Sequence, residues 1–231
     1  MPEARTYRQS RFRRPPGSTE LLLVRHGESV PARDGQSFPL VDGHGDPELA
    51  PEGYEQARRI AERLEHEDIS AIYVTTLRRT VETAAPLAER LGLELRVEPD
   101  LREVYLGEWE GGIFRKHVAE GHPLAARMYA EQRWDVIPGA EPADAFAARV
   151  RRAITRITAS HPDDTVVVVS HGGVIGQVLG DAVSARGFAF TGSDNGAISH
   201  LVVTPDRWIV RCYNDTAHLS MRFTTAPEPL T

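Results

Sequence analysis

Apolar positions along the chain follow two alternating patterns. Leu21-Leu22-Leu23-Val24, Ala71-Ile72-Tyr73-Val74 and Val166-Val167-Val168-Val169 are short unbroken apolar runs, which is how strands covered on both faces read. Between them, Ala57, Ile60, Ala61 and Leu64 recur at i, i+3, i+4 and i+7, so a helix opening at Pro51 has one apolar face. The spacing of Val81, Ala85, Ala88 and Leu91 predicts a second helix, stopped by Gly92, where glycine accepts left-handed backbone. Phe146, Val150, Ala153, Ile154 and Ile157 mark a long third one. Residues 93–97 alternate as a further strand, and 198–203 and 208–213 read as two closing strands around the turn Thr204-Pro205-Asp206-Arg207. Strand and helix alternating over most of the length predict an α/β fold, a three-layer α/β/α sandwich around a mainly parallel central sheet. Residues 30–48, rich in Gly, Pro and Asp without a period, predict a long loop.

Length and composition narrow this picture. The 231 residues suit one sizeable core, read here as a single domain over 19–231. Ahead of it, residues 1–18 carry Arg5, Arg8, Arg11, Arg13 and Arg14 and then Pro15-Pro16, a basic arm expected to be disordered. The formal charge of −6 argues against a nucleic-acid partner, which needs a basic face. No run approaches the ~20 apolar residues of a membrane span. Cys212 is the only cysteine, so neither an intramolecular disulfide nor a thiolate metal cluster can form within one chain. A soluble, cytoplasmic protein is expected, with a homodimer left open.

Two of the apolar runs end in histidine: Arg25-His26-Gly27 after the first, Ser170-His171-Gly172-Gly173 after the last. Parallel strands of one sheet open at the same edge, where α/β folds place their chemistry. Alone, a histidine just after a strand is more often a hydrogen-bonded structural residue, and two strand-end histidines could also ligate a metal. Arg25 beside His26 puts a permanent cation in the pocket, which opposes a dication and suits an anionic ligand. Arg78 and Arg79, where the run 71–74 passes into its helix, add positive charge at the same edge, one of them expected to be an ordinary solvated arginine. Backbone N–H groups at Gly27 and Gly172-Gly173 suit phosphate oxygens.

Four segments together resemble the histidine phosphatase superfamily, also called phosphoglycerate mutase-like. They are Leu22-Leu23-Val24-Arg25-His26-Gly27-Glu28-Ser29, Leu77-Arg78-Arg79-Thr80-Val81-Glu82-Thr83-Ala84, Leu101-Arg102-Glu103 with Gly107-Glu108-Trp109-Glu110-Gly111, and Val169-Ser170-His171-Gly172-Gly173. Asn195-Gly196-Ala197-Ile198 and Asn214-Asp215-Thr216-Ala217-His218-Leu219 are similar too. The resemblance implies a phosphoglycerate mutase-like fold and a metal-independent phosphatase without cofactor, acting on a small phosphorylated substrate. It makes His26 the nucleophile, Arg25, Arg79 and His171 the phosphate pocket with Gly172, Ser29 and Glu28 beside it, and Glu103 the proton donor, leaving Arg78 the solvated arginine. By composition alone Glu108 or Glu110 could be that donor; the Leu-x-Glu position favours Glu103. The modest stretch between Gly111 and Pro138 favours water over a sugar acid as acceptor, since mutases of this kind carry a longer insertion there.

Two positions depart from the family pattern: Ala32 stands where an Asn is usual, removing a neutral phosphate donor worth about 1 kcal/mol, and Ala50 where a Thr helix cap is usual. His44 is expected to be an exposed loop residue and His218 a support near the site. His117, His122 and His161 show no metal-ligand spacing, the tryptophans read as packing residues, and Cys212 as a small buried hydrophobe. Residues 30–48 and 112–138 are expected to shape the mouth.

Overall fold

The computed structural model describes residues 6–220. The chain runs through β1 (Thr19–Arg25), a small hairpin of β2 (Leu40–Val41) and β3 (His44–Gly45), α1 (Pro51–Leu64), β4 (Ile69–Val74) and α2 (Arg78–Leu91). It continues through β5 (Leu95–Val97), α3 (Ile113–Ala119), α4 (Pro123–Glu131) and α5 (Ala143–Ala159). The last elements are β6 (Thr165–Ser170), α6 (Gly172–Val183), β7 (Ile198–Val203) and β8 (Trp208–Asp215). Six strands form one sheet in the order β5-β4-β6-β1-β7-β8. The first four are mutually parallel, and β7 and β8 close the sheet antiparallel, as the tight turn between them requires.

Alternation along the buried strands divides the core into two faces. Leu21, Leu23, Val166 and Val168 meet α5 and α6 through Phe146, Val150, Ile154, Ile175 and Leu179. Val24, Ile72, Val74, Val167 and Val169 meet α1 and α2 through Ile60, Leu64, Ala84 and Leu87. Each such side chain contributes roughly 1.5–3 kcal/mol on burial, so both helical layers are needed and the sandwich is three-layered. The apolar faces expected of α1 and α5 are the buried ones.

The expected face of α2 is buried only in part: Ala88 is buried and Leu91 packs half-buried on the core, but Val81 and Ala85 are exposed. The buried side is Arg79, Thr80, Thr83, Ala84, Leu87 and Ala88. Half of that side is polar because it faces the functional edge of the sheet, so apolar spacing caught only part of the stripe. Gly92 ends the helix as expected, at φ 65°. Helices α3 and α4 were not foreseen. Nothing in α3 is buried and only Ala125 and Met128 are in α4, so neither carries a strong periodic stripe. Cys212, expected to be buried, is half-buried on the edge strand β8.

Of the N-terminal arginines, Arg5 lies outside the described residues. Arg14 donates to the main-chain oxygens of Asp163 and, at 3.2 Å, Asp164. Among the described residues no helix is long and apolar enough to cross a membrane.

Candidate active site

Strands β4, β6 and β1 are adjacent and parallel, with Arg25 in register with Ser170. Their C-terminal ends therefore deliver Arg79, His171 and His26 to one place. The two imidazoles are buried, their ring centroids 5.2 Å apart and inclined at 63°. Arg79 bridges them. Its Nε donates to His26 Nε2 at 3.2 Å, its Nη2 to His171 Nδ1 at 3.2 Å, and its Nη1 to the Gly45 carbonyl at 2.9 Å.

These bonds define the tautomers. His26 Nδ1–H donates to the Gly27 carbonyl at 2.7 Å, which leaves the lone pair on Nε2, the atom facing Arg79. His171 Nε2–H donates to Thr75 Oγ1 at 3.1 Å, leaving the Nδ1 lone pair toward the same guanidinium. Burial, then the charges of Arg79 and Arg25, hold His26 well below its ordinary pKa. Burial, Arg79 and the neighbouring His26 do the same to His171. Both rings are therefore neutral at pH 7. Burial pushes Arg79 down to about 10, against the pull of Glu103 and Asp46, so it stays cationic. Burial also lowers Arg25, with Glu103 and Asp194 opposing. Arg25 donates to the Ser193 carbonyl, and its Nε is buried without a partner among the described residues.

Threonines that sequence reasoning gave no role hold this arrangement. Thr75 Oγ1, accepting from His171, also touches Thr80 Oγ1 at 3.0 Å, and Thr80 bonds back to the Leu77 carbonyl at 2.8 Å. Thr83 Oγ1 accepts from Gly27 N at 2.9 Å and donates to the Arg79 carbonyl at 2.7 Å, tying the loop after β1 to α2. From the other side Asn195 Nδ2 donates to the His26 carbonyl at 3.0 Å. His218 Nε2–H donates to the Gly196 carbonyl at 3.0 Å, the support expected of it. A Thr-Thr pair before an Arg-Arg-Thr helix start was the only available signal for the threonine set.

Glu103 reaches the pocket from the segment after β5. One carboxylate oxygen accepts from Gly173 N at 3.1 Å, the other from Val104 N at 2.9 Å. Glycine at 173 lets the carboxylate approach this closely, because a Cβ would stand 3.2 Å from Glu103 Cδ and closer still to Oε1 and would push the carboxylate aside. Glu110 accepts from Gly45 N at 2.7 Å and Leu106 N at 2.9 Å, so both its oxygens pin loops. Glu108 is exposed. Arg78 is solvated and paired with Glu82 at 2.9 Å and Glu48 at 3.1 Å.

Beside the histidines opens a cavity of about 680 Å³ whose wall includes Arg25, Glu28, Ser29, Ala32, Arg115 and Asn195. Ser29 is buried and Glu28 exposed. Gly172 packs on Arg25, a Cβ there lying 3.6 Å from Arg25 Nε. Ala50 precedes α1 without a side-chain cap. His44 contradicts its expected exposure. The β2–β3 hairpin folds it against Tyr105, ring centroids 5.4 Å apart, and its Nε2 is buried without a partner among the described residues. His117 and His122 stack at 4.4 Å beside the buried Trp109, and His161 is bound to Asp164 and Tyr73 at 3.0 and 3.2 Å. Trp109 packs as expected.

Residues 21–216 match the histidine phosphatase superfamily (branch 1). The chain is 35% identical over 205 residues to phosphoglycerate mutase-like protein 4 of Arabidopsis thaliana, covering 87% of this chain and 86% of that protein. It is 32% identical over 209 residues to the metal-independent phosphoserine phosphatase of the same plant, covering 87% and 84%. The solved structure of a mycobacterial glucosyl-3-phosphoglycerate phosphatase superposes with a TM-score of 0.71 at 28% identity, over 86% of this chain and 100% of that one. The chain belongs to the histidine phosphatase superfamily, branch 1.

Proposed function

We propose that this chain hydrolyses small phosphomonoesters without a metal ion, carrying the phosphoryl group on Nε2 of His26. The observation that carries the reading is the Arg79 bridge: two neutral imidazoles present lone pairs to one buried guanidinium. An arriving phosphate takes over those N–H donors, which frees the His26 lone pair beside phosphorus. Nε2 then attacks in line while the bond to the ester oxygen breaks, and Arg25, Arg79 and the Gly172 backbone meet the equatorial oxygens. Preorganised donors of this kind are each worth roughly 10²–10³ in rate. Glu103 gives its proton to the leaving oxygen. As carboxylate it then takes a proton from water, the hydroxide oxygen bonds to phosphorus, and the P–N bond breaks back to His26.

Cations belonging to the protein serve the charge neutralisation that a metal supplies elsewhere, and one relative is named metal-independent. The cysteine usage and acidic net charge fit a cytoplasmic enzyme acting on metabolites rather than nucleic acid. The test is phosphate release from a panel of monoesters in chelator, run beside the His26→Ala protein and beside isomerisation of 3-phosphoglycerate. Release that survives chelation and vanishes with His26 is the expected result. Loss of activity on chelation, or isomerisation exceeding hydrolysis, overturns the reading.

A further inference from the structure

The cavity that opens at Arg25 has room beyond a phosphoryl group, and Arg115 in its wall is held by a carbonyl and a hydroxyl rather than by a carboxylate. Arg115, on α3, donates through Nη1 to the Val30 carbonyl at 2.8 Å and through Nη2 to Ser29 Oγ at 2.6 Å. Its guanidinium carbon lies 5.3 Å from the Phe38 ring centroid. It forms no ion pair among the described residues, whereas Lys116 next to it is paired with Asp34 at 2.7 Å. A guanidinium offers five N–H donors in a fixed fork, and only two are used here. Ser29 Oγ accepts from Arg115, so its own hydroxyl hydrogen remains to be donated. Two donors from different elements thus converge on the same wall of the cavity.

We infer that Arg115 and Ser29 form a subsite for a second anionic group of the substrate, a carboxylate or a second phosphate, next to the phosphoryl pocket. The inference rests on the phosphatase reading for the first anion. Arg115 bonds to neither histidine while Arg79 bonds to both, so it offers donors of its own beside that pocket, near enough for its charge to reach His26 and Arg79. Burial and the charge of Arg25 push the Arg115 pKa down, with the Glu28 carboxylate in the same wall opposing them in part; a bound anion relieves the remaining repulsion. Phe38 below the guanidinium and the Val30 carbonyl hold it in one orientation. A planar fork held this way reads carboxylate or phosphate oxygens better than a mobile lysine does.

Matched substrates test this. Phosphoserine and phosphoethanolamine differ only by a carboxylate, and fructose 1,6-bisphosphate and fructose 6-phosphate by a second phosphate. The wild-type protein is expected to show kcat/KM about 10- to 100-fold higher for the acidic member of at least one pair, the worth of one charge-assisted hydrogen bond. Which pair responds tells carboxylate from phosphate. Arg115→Met is expected to lower that acidic-to-neutral ratio about tenfold or more, and Arg115→Lys to keep part of it. Ser29→Ala, which removes only a hydroxyl, should lower it in the same direction should the Met variant fail to fold. A wild-type ratio near one in both pairs, or an equal loss on both members, overturns the subsite. Absence of turnover on every ester, p-nitrophenyl phosphate included, refutes the phosphatase reading instead. Calorimetric binding of the same pairs then decides the subsite alone, equal affinity within each pair overturning it.

Discussion

Gly173→Ala tests the proposed proton donor, Glu103, without replacing it. Gly173 lies in the first turn of α6 with ordinary helical backbone, so alanine suits its conformation. The obstacle is steric. A Cβ at 173 meets Glu103 Cδ at 3.2 Å and Oε1 at less, against an ordinary carbon contact of about 3.5–4.0 Å, so the carboxylate has to retreat by about 1 Å. It then loses the 3.1 Å bond from Gly173 N and its aim at the leaving oxygen. The lost charge-assisted bond costs about 1.5–3 kcal/mol of stability, offset in part by the roughly 1 kcal/mol that alanine gains over glycine in a helix. Catalysis should suffer more, because a positioned general acid is worth about 10²–10⁴ in rate, or roughly 3–5 kcal/mol of barrier. Aryl phosphates leave without a proton and alkyl phosphates do not. The assay is kcat/KM for p-nitrophenyl phosphate against an alkyl monoester in the wild-type and Gly173→Ala proteins. Their alkyl-to-aryl ratio should fall about 100-fold in the variant, with the melting temperature close to that of wild type. A ratio unchanged in a folded variant refutes the assignment of Glu103.

Other consequences follow from the same geometry. Arg79→Lys cannot reach both imidazoles and Gly45 at once, and kcat/KM should fall about 10²- to 10³-fold while a thermal melt stays cooperative; a loss under fivefold contradicts the bridge. In the proposed mechanism His26 acts as the neutral imidazole, and with its pKa held well below 6.5, kcat/KM should not fall with an ordinary histidine pKa as the pH drops from 8 through 6.5. Its acid limb belongs at lower pH, and a limb centred at 6.5 is the contrary result. The sign for stability is the same: with folded pKa values depressed for His26 and His171, their contribution is complete above about pH 6.5 and is lost as the pH falls below it toward the folded values. Urea unfolding between pH 8 and 5 should show this slope, reduced in His171→Gln. At the crossing of the loop after β1 with α1, a Cβ on Gly27 would lie 2.6 Å from the Gly53 carbonyl oxygen. Gly27→Ala should therefore destabilise by at least 1–3 kcal/mol in urea melts, whereas Gly180→Ala, with nothing within 4 Å, should be neutral or stabilising.

The parts legible in the sequence are those that depend on strand ends. Buried runs leading into His26 and His171, and the passage from 71–74 into Arg79, place three groups at one edge once the sheet is parallel. Glu103 was separable from its neighbours only by resemblance; the structure adds that Glu110 is committed to Gly45 and Leu106 and that Glu108 faces solvent. Thr75 and Thr80 escaped notice because their partner, His171, is far away in sequence and meets them only across β4 and β6. The buried stripe of α2 was caught only in part for a related reason, since the polar residues it buries serve the site. His44 and Arg115 depend on how the hairpin and α3 fold over the mouth, and neither segment carries an apolar period that could have announced it.

The account stands on a covalent bond between phosphorus and one imidazole. Enzyme mixed with labelled phosphomonoester and quenched in alkaline denaturant within one turnover should yield one phosphoryl group, stable in base and labile in acid. Peptide mass spectrometry should place it on His26 and find none in the His26→Gln protein. Continued turnover of the ester with no label on the wild-type protein, or a label on another residue, contradicts it.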